Sequence, residues 1–150
     1  MRINADLIQK SAQYLNAIHE FHLDLRGYKI PFIENLTATN DQFGTIDLTD
    51  NEIVALEGLP QLLRLANLLL ANNRITKVDP NYAEMCPQLE NLILTNNKIS
   101  SFTEINNIAT CKTLLRLSLV GNLVTNLPNY RMYVIYKIPT LRILDFQKVK

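Results

Sequence analysis

A chain of 150 residues, 47% hydrophobic and 19% charged with a formal net charge of +1, suits one globular domain with enough interior for a core, and so even a balance says nothing in favour of any charged partner. No apolar run approaches the roughly 20 residues that cross a bilayer, and Met1-Arg2-Ile3-Asn4 leads into mixed polar sequence rather than a secretory leader, which makes the cytosol or nucleus the expected location.

The first predicted element is a helix beginning near Ala5, capped by Asn4, with Leu7, Ile8, Ala12 and Leu15 on one face; residues 1–22 then form an N-terminal cap. From Leu23 a short apolar rhythm recurs. Its clear copies read Phe43, Ile46, Leu48, Asn51, Ile53; Leu65, Leu68, Leu70, Asn73, Ile75; Leu89, Leu92, Leu94, Asn97, Ile99; and Leu114, Leu117, Leu119, Asn122, Val124. Each is the L-x-x-L-x-L-x-x-N-x-L core of a leucine-rich repeat, and the asparagines fall 22, 24 and 25 residues apart, the period at which one coil of such a solenoid closes. Altered copies flank them: Leu23, Leu25 and Ile30 with Tyr28 in the asparagine slot, then Leu141, Leu144 and Phe146 with Val149 in that slot. An internal asparagine can be buried because its amide both donates and accepts, whereas a terminal coil has no neighbour to share those bonds.

Each L-x-L predicts one short parallel strand, and Pro60 and Pro87 interrupt the returns before the next strand, allowing short helices at most. An amphipathic helix over residues 129–139 is expected to cover the last coil. The fold class is thus an α/β solenoid with a curved parallel sheet on its concave face, repeats over 23–128 and a C-terminal cap over 129–150. Cys86 and Cys111 occupy the slot held by Leu62 one repeat earlier, the place of a buried structural thiol rather than of a disulfide or metal pair.

Strand alternation selects the working face. If the leucines of each L-x-L point inward, the residues between and beside them line the concave sheet. These include Asp24, Arg26, Asp47, Thr49, Asn67, Leu69, Asn91, Ile93, Thr95, Arg116 and Ser118, the candidate protein-binding set, together with His22, Thr45, Ala71, Val120, Ile143, Asp145 and Gln147. Leu69 and Ile93 fall side by side mid-sheet with no evident core duty, as the dry centre of a protein interface would. Six strands about 4.8 Å apart give a trough roughly 24 Å wide, enough for a helix of about 16 residues.

Catalysis finds little support. His19 and His22 are the histidines, no serine or cysteine joins them beyond Ser11 of the cap helix, and the four glycines are too scattered for a phosphate loop. Asp47, Asp50 and Glu52 read as a solvated turn rather than a cation site. No enzyme, metal or cofactor is expected. Charge is uneven, however: residues 126–150 hold Arg131, Lys137, Arg142, Lys148 and Lys150 against Asp145 alone, an excess of +4.

The stretches Leu23-Asp24-Leu25-Arg26-Gly27-Tyr28-Lys29-Ile30-Pro31, Ile33-Glu34-Asn35-Leu36, Asp41-Gln42-Phe43, Leu92-Ile93-Leu94-Thr95-Asn96-Asn97, Tyr130-Arg131-Met132-Tyr133-Val134-Ile135-Tyr136-Lys137 and Leu144-Asp145-Phe146-Gln147-Lys148-Val149-Lys150 go beyond the generic repeat. Through them the chain resembles, over essentially its whole length, the A-prime family of the spliceosomal U2 small nuclear ribonucleoprotein, whose members commonly continue into a polar tail. That resemblance implies a nuclear, non-enzymatic splicing scaffold. It also implies a partner, the B-double-prime RNA-recognition-motif protein, which lays a helix in the concave sheet and reads a hairpin loop of U2 small nuclear RNA. Lys148 and Lys150, with Arg26 and Lys29 at the opposite cap, are then the candidates for RNA phosphate contacts. Apart from the resemblance, the residues leave open a protein-only adaptor, such as a phosphatase-regulating or cytoskeletal subunit.

Overall fold

The structure, a computed structural model, describes residues 1–11, the backbone of 13–15, and residues 21–39 and 41–149. Helix α1 (Ala5–Lys10) opens as its sequence dictates: the Asn4 Oδ1 accepts the Leu7 N–H at 2.8 Å, and Leu7 and Ile8 face the core. It stops sooner than the apolar spacing suggests. The Ser11 N–H and hydroxyl both donate to the Leu7 carbonyl, and Gln13–Leu15 is a strand, β1, so Leu15 lies on no helical face; Ala12 falls outside the described residues. The physical reason is the open edge of the solenoid. Strand β1 pairs antiparallel with β2 (Phe21–Asp24) and covers backbone groups that the first coil would otherwise expose.

The coils follow in order: β3 (Phe43–Asp47), β4 (Ala55–Leu56), β5 (Asn67–Leu69), β6 (Lys77–Val78), α2 (Tyr82–Met85), β7 (Asn91–Ile93), α3 (Phe102–Ile108), β8 (Arg116–Ser118), α4 (Tyr130–Lys137), β9 (Ile143–Leu144) and β10 (Gln147–Lys148). Among the described residues one sheet runs β1-β2-β3-β5-β7-β8-β9-β10, parallel throughout except for the antiparallel pairs at its two ends. Strands β4 and β6 pair separately on the return side. The return that carries Pro60 has no helix, the one that carries Pro80 and Pro87 only the four residues of α2, and the proline-free one the seven of α3.

The inward residues of each L-x-L form the core: Ile46, Leu48, Leu68, Leu70, Leu92, Leu94, Leu117 and Leu119 are all buried, as are Cys86 and Cys111, both free thiols. Asn51, Asn73, Asn97 and Asn122 are buried among them. The Asn73 Nδ2 donates to the Leu48 and Leu70 carbonyls at 3.0 Å, while its Oδ1 accepts the Ile53 N–H at 3.0 Å. Asn97 and Asn122 repeat this pattern one and two coils on. Asn51 closes the ladder on the first coil, where the Tyr28 and Ile30 N–H groups both donate to its Oδ1 and Tyr28 packs against the core.

The last coil departs from its apolar pattern. Leu141 and Leu144 are buried, but Phe146 is 70% exposed. Asp145 and Phe146 have φ of 52° and 65° and form the two-residue turn of the β9–β10 hairpin, which needs positive φ at both central positions and puts Phe146 at its tip. Helix α4 seals this end with Tyr130 and Val134, and the Tyr130 hydroxyl donates to the Asp145 Oδ2 at 2.8 Å.

Candidate functional site

Register across the parallel strands sorts the concave side chains into rows. One row runs Asp24, Asp47, Leu69, Ile93, Ser118, and the next runs His22, Thr45, Asn67, Asn91, Arg116, Ile143. Leu69 and Ile93 are adjacent and half-buried, the aliphatic centre that alternation predicts.

Beside them lies a feature that alternation does not reveal, a chain of polar side chains across four strands. The Asn67 Nδ2 donates to the Thr45 Oγ1 at 3.0 Å, the Asn91 Nδ2 donates to the Asn67 Oδ1, and the Arg116 Nη1 donates to the Asn91 Oδ1 at 3.1 Å. The asparagine repeated two residues before each central aliphatic, Asn67 and Asn91, was its sequence signal. A second, exposed ladder follows the strands: the Asn72 Nδ2 donates to the Asp50 Oδ1 at 2.8 Å and the Asn96 Nδ2 to the Asn72 Oδ1 at 2.9 Å, all three residues having φ of 57–60°. It ends at Gly121, φ 81°, where any Cβ would run into the Asn96 Oδ1.

The first two coils hold the charges. Arg26 grips Asp24 with both ends of its fork, Nε–Oδ1 and Nη2–Oδ2 each 3.0 Å, and its Nε stands 3.7 Å from the Asp47 Oδ2. The hydrogen bond from Arg26 holds the Asp24 carboxyl below its ordinary range. Asp47 is 7% exposed and accepts the Thr49 N–H at 3.0 Å. Ser118 is 1% exposed and paired with the Thr95 hydroxyl at 2.7 Å, so it supports the groove from below.

The basic candidates separate. Lys29, exposed at φ 55°, and the tethered Arg26 follow β2, whereas Lys148 is exposed on β10 at the other end of the sheet. Lys150 lies outside the described residues, as does His19. Arg131 is committed to the fold, donating to the Leu144 carbonyl at 3.1 Å and the Lys148 carbonyl at 3.3 Å. Among the described residues no three His, Cys, Asp or Glu side chains gather as a metal site would require, and no helix is long and apolar enough to cross a membrane.

Coils closed by a buried asparagine ladder, stacked into a sheet whose open face is an aliphatic strip between polar rows, define a leucine-rich-repeat binding scaffold. The family model described as Leucine-rich repeat matches residues 1–150, and the chain belongs to that family. Within it, the chain is similar over its whole length to proteins named U2 small nuclear ribonucleoprotein A': it is 55% identical to that of Arabidopsis thaliana, 51% to that of Homo sapiens and 39% to that of Schizosaccharomyces pombe. It covers 60%, 59% and 63% of those relatives, so it spans about three fifths of their length. Among solved structures, a chain of the Drosophila melanogaster SNF/U2A' complex matches with a TM-score of 0.97 at 47% identity, covering 100% of this chain and 86% of that one. The Mex67 leucine-rich-repeat domain from Chaetomium thermophilum matches with a TM-score of 0.52 at 32% identity, over 58% of this chain and 60% of that one.

Proposed function

We propose that this chain is the leucine-rich-repeat scaffold of a U2 small nuclear ribonucleoprotein subunit, acting in pre-mRNA splicing in the nucleus, and that its concave sheet holds one helix of an RNA-recognition-motif protein of the B-double-prime type. The observation that carries this reading is the fit of all 150 residues to the Drosophila chain solved in complex with SNF. The groove is suited to the task. Leu69 and Ile93 offer a dry centre, and the row from Thr45 to Arg116 offers polar side chains already held in place by one another, so little rotamer freedom is lost on docking.

Base reading belongs to the partner in this mechanism. Loop bases are recognised by stacking on aromatic side chains, and the two groove rows carry Asp, Leu, Ile, Ser, His, Thr, Asn and Arg instead. The chain's own share is to fix the partner's orientation and to meet phosphates through Lys148, Lys150 and Lys29. Arg26 joins only by leaving its carboxylates. Lys29 follows β2 and Lys148 lies on β10, at opposite ends of the sheet.

The test is a binding assay with a recombinant RNA-recognition-motif partner and the U2 hairpin, comparing wild type with Leu69→Asp/Ile93→Asp. The expected result is loss of the protein complex, and of the ternary complex with it, at an unchanged circular dichroism spectrum. Retained binding by the folded double variant moves the interface elsewhere. Purification of the chain from nuclear extract with a protein partner but no small nuclear RNA favours the protein-only adaptor.

A further inference from the structure

The chain presents a second surface, away from the groove and independent of it, between α3 and α4. A cleft of about 500 Å³ there is lined by Asn106, Ala109, Thr110, Lys112, Tyr136, Lys137 and Pro139. The two helices that flank it are held together by stacking: the Phe102 and Tyr133 rings lie 4.2 Å apart and 10° from parallel, and the Tyr133 hydroxyl donates to the Asn106 Oδ1 at 2.6 Å, which locks α4 against α3.

Two ammonium groups are set into this cleft. The Lys137 Nζ stands 5.8 Å from the centres of both the Tyr133 and Tyr136 rings, held by cation–π attraction. The Lys112 Nζ donates to the Ala109 carbonyl at 3.3 Å, at the C-terminal end of α3, leaving its other two N–H donors directed to the cleft or to solvent. Neither lysine has a carboxylate partner among the described residues, and no acidic side chain is among those lining the cleft. Arg2, Arg26, Arg74 and Lys77 each stand beside an aspartate or glutamate, whereas these two lysines, like Lys29 and Lys148, do not, and here the two line one cleft together.

Next to that charge lies unmatched apolar surface. Met132 and Tyr136 are one helical turn apart on α4, and at 72% and 76% exposure they are the most exposed large apolar side chains among the described residues. The inward face of the helix is occupied by Tyr130 and Val134, so Met132 and Tyr136 lie away from the core.

We propose that the α3–α4 cleft is a docking site for an acidic segment of a partner protein, in which carboxylates meet Lys112 and Lys137 and an intervening aliphatic or aromatic side chain lies on Tyr136 and Met132. Charge complementarity selects the sign of the occupant; a phenol ring beside a cation suits a base as well as a side chain, and it is the Met132 thioether next to it, with the small number of cations, that favours a peptide over a nucleic acid. Two lysines with no further cation lining the cleft do not track a phosphate backbone, while apolar surface beside a cation is what a mixed acidic–hydrophobic peptide needs.

The probe is a fluorescein-labelled peptide alternating glutamate with leucine and phenylalanine, titrated with the chain by anisotropy, and with an isotopically labelled chain by amide chemical shifts. Saturable binding with shifts at Asn106, Thr110, Lys112, Tyr136 and Lys137 is expected. The Lys112→Gln/Lys137→Gln variant should weaken it about tenfold, and Met132→Ser/Tyr136→Ser, which keeps both charges and the Tyr133 ring beside Lys137, should weaken it comparably. A glutamate peptide without apolar residues should bind more weakly than the mixed one. The proposal is overturned by no saturable binding, by shifts confined to the concave sheet, by unchanged affinity in either variant, by equal displacement with a uridine oligonucleotide, or by a self-association of the chain that Met132→Ser/Tyr136→Ser abolishes.

Discussion

Asn73 condenses the logic of the fold into one side chain. Its amide serves the Leu48 and Leu70 carbonyls and the Ile53 N–H, so it ties its own coil to the one before while standing only 6% exposed. Alanine there leaves those backbone groups buried and unpaired, at a cost of about 1–3 kcal/mol. Asn73→Ala and Asn97→Ala should each lower the melting temperature by several degrees in a thermal melt, and unchanged melting of both contradicts a structural role. Lys148 is the opposite case, an exposed cation on an edge strand with no part in the core. Its replacement by alanine should leave melting alone and reduce the salt dependence of ternary-complex binding by roughly 0.7–0.9 in log–log slope if it meets one phosphate. Matched and mismatched loops should weaken alike, and a changed loop preference would give it a base-reading role instead. Both residues were legible in the chain, the asparagine by its period and the lysine by its place in a basic end. Arg131 was not, because sequence counts a charge and only the folded hairpin supplies the carbonyls that engage it.

Among elements, the groove strands and the terminal hairpin make separate demands. Strands β3, β5, β7 and β8 present their rows because parallel register carries each residue beside its equivalent one repeat on, so the row Asp47, Leu69, Ile93, Ser118 follows from the repeat spacing alone. Aspartate at Leu69 and Ile93 places charge at the centre of the proposed interface, and partner binding should vanish while the circular dichroism spectrum stays as it was. The β9–β10 hairpin has only two residues per strand and depends on the Arg131 fork from α4. Arg131→Met removes those donors while keeping the apolar stem. Hydrogen exchange at the Val149 N–H, which donates to the Arg142 carbonyl at 2.9 Å, should then quicken by about tenfold with exchange in the central strands unchanged. Equal quickening across the sheet would mean that the cap is energetically inseparable from the coils.

On the scale of the whole molecule, the two thiols report whether the solenoid opens as a unit. Cys86 and Cys111 are 0% and 2% exposed in successive coils, and burial, with Cys111 and Asp41 adding to it, pushes the Cys86 thiol up to about 12. At pH 8 a disulfide reagent should therefore modify both cysteines only as fast as the chain unfolds, and immediate labelling of native protein would contradict the packing. Since an unfolded thiol titrates near about 8.5 and the folded one near 12, the neutral buried form favours folding fully below the first value. That contribution is lost as pH rises toward the second. Stability measured by denaturant melts should fall with pH across this window, and Cys86→Ala should make the fall shallower.

What the sequence by itself determined is what repetition encodes. The period of the leucines and asparagines specifies coil length, strand register, core and concave face, because each coil buries its apolar side only against a copy of itself. The adjacent aliphatic pair at Leu69 and Ile93 follows from the same arithmetic. What tertiary structure alone decided lies where repetition stops. The cap helix ends at Lys10 rather than running on through Leu15, since an open sheet edge needs a strand more than the core needs another turn of helix, and Phe146 leaves its apolar slot because the hairpin takes it as a turn residue. Contacts between side chains far apart in the chain were equally out of reach of the sequence. The approach of Arg26 to Asp47, the amide row from Thr45 to Arg116, and the stacking of Phe102 on Tyr133 each depend on distances that exist only once the coils are stacked.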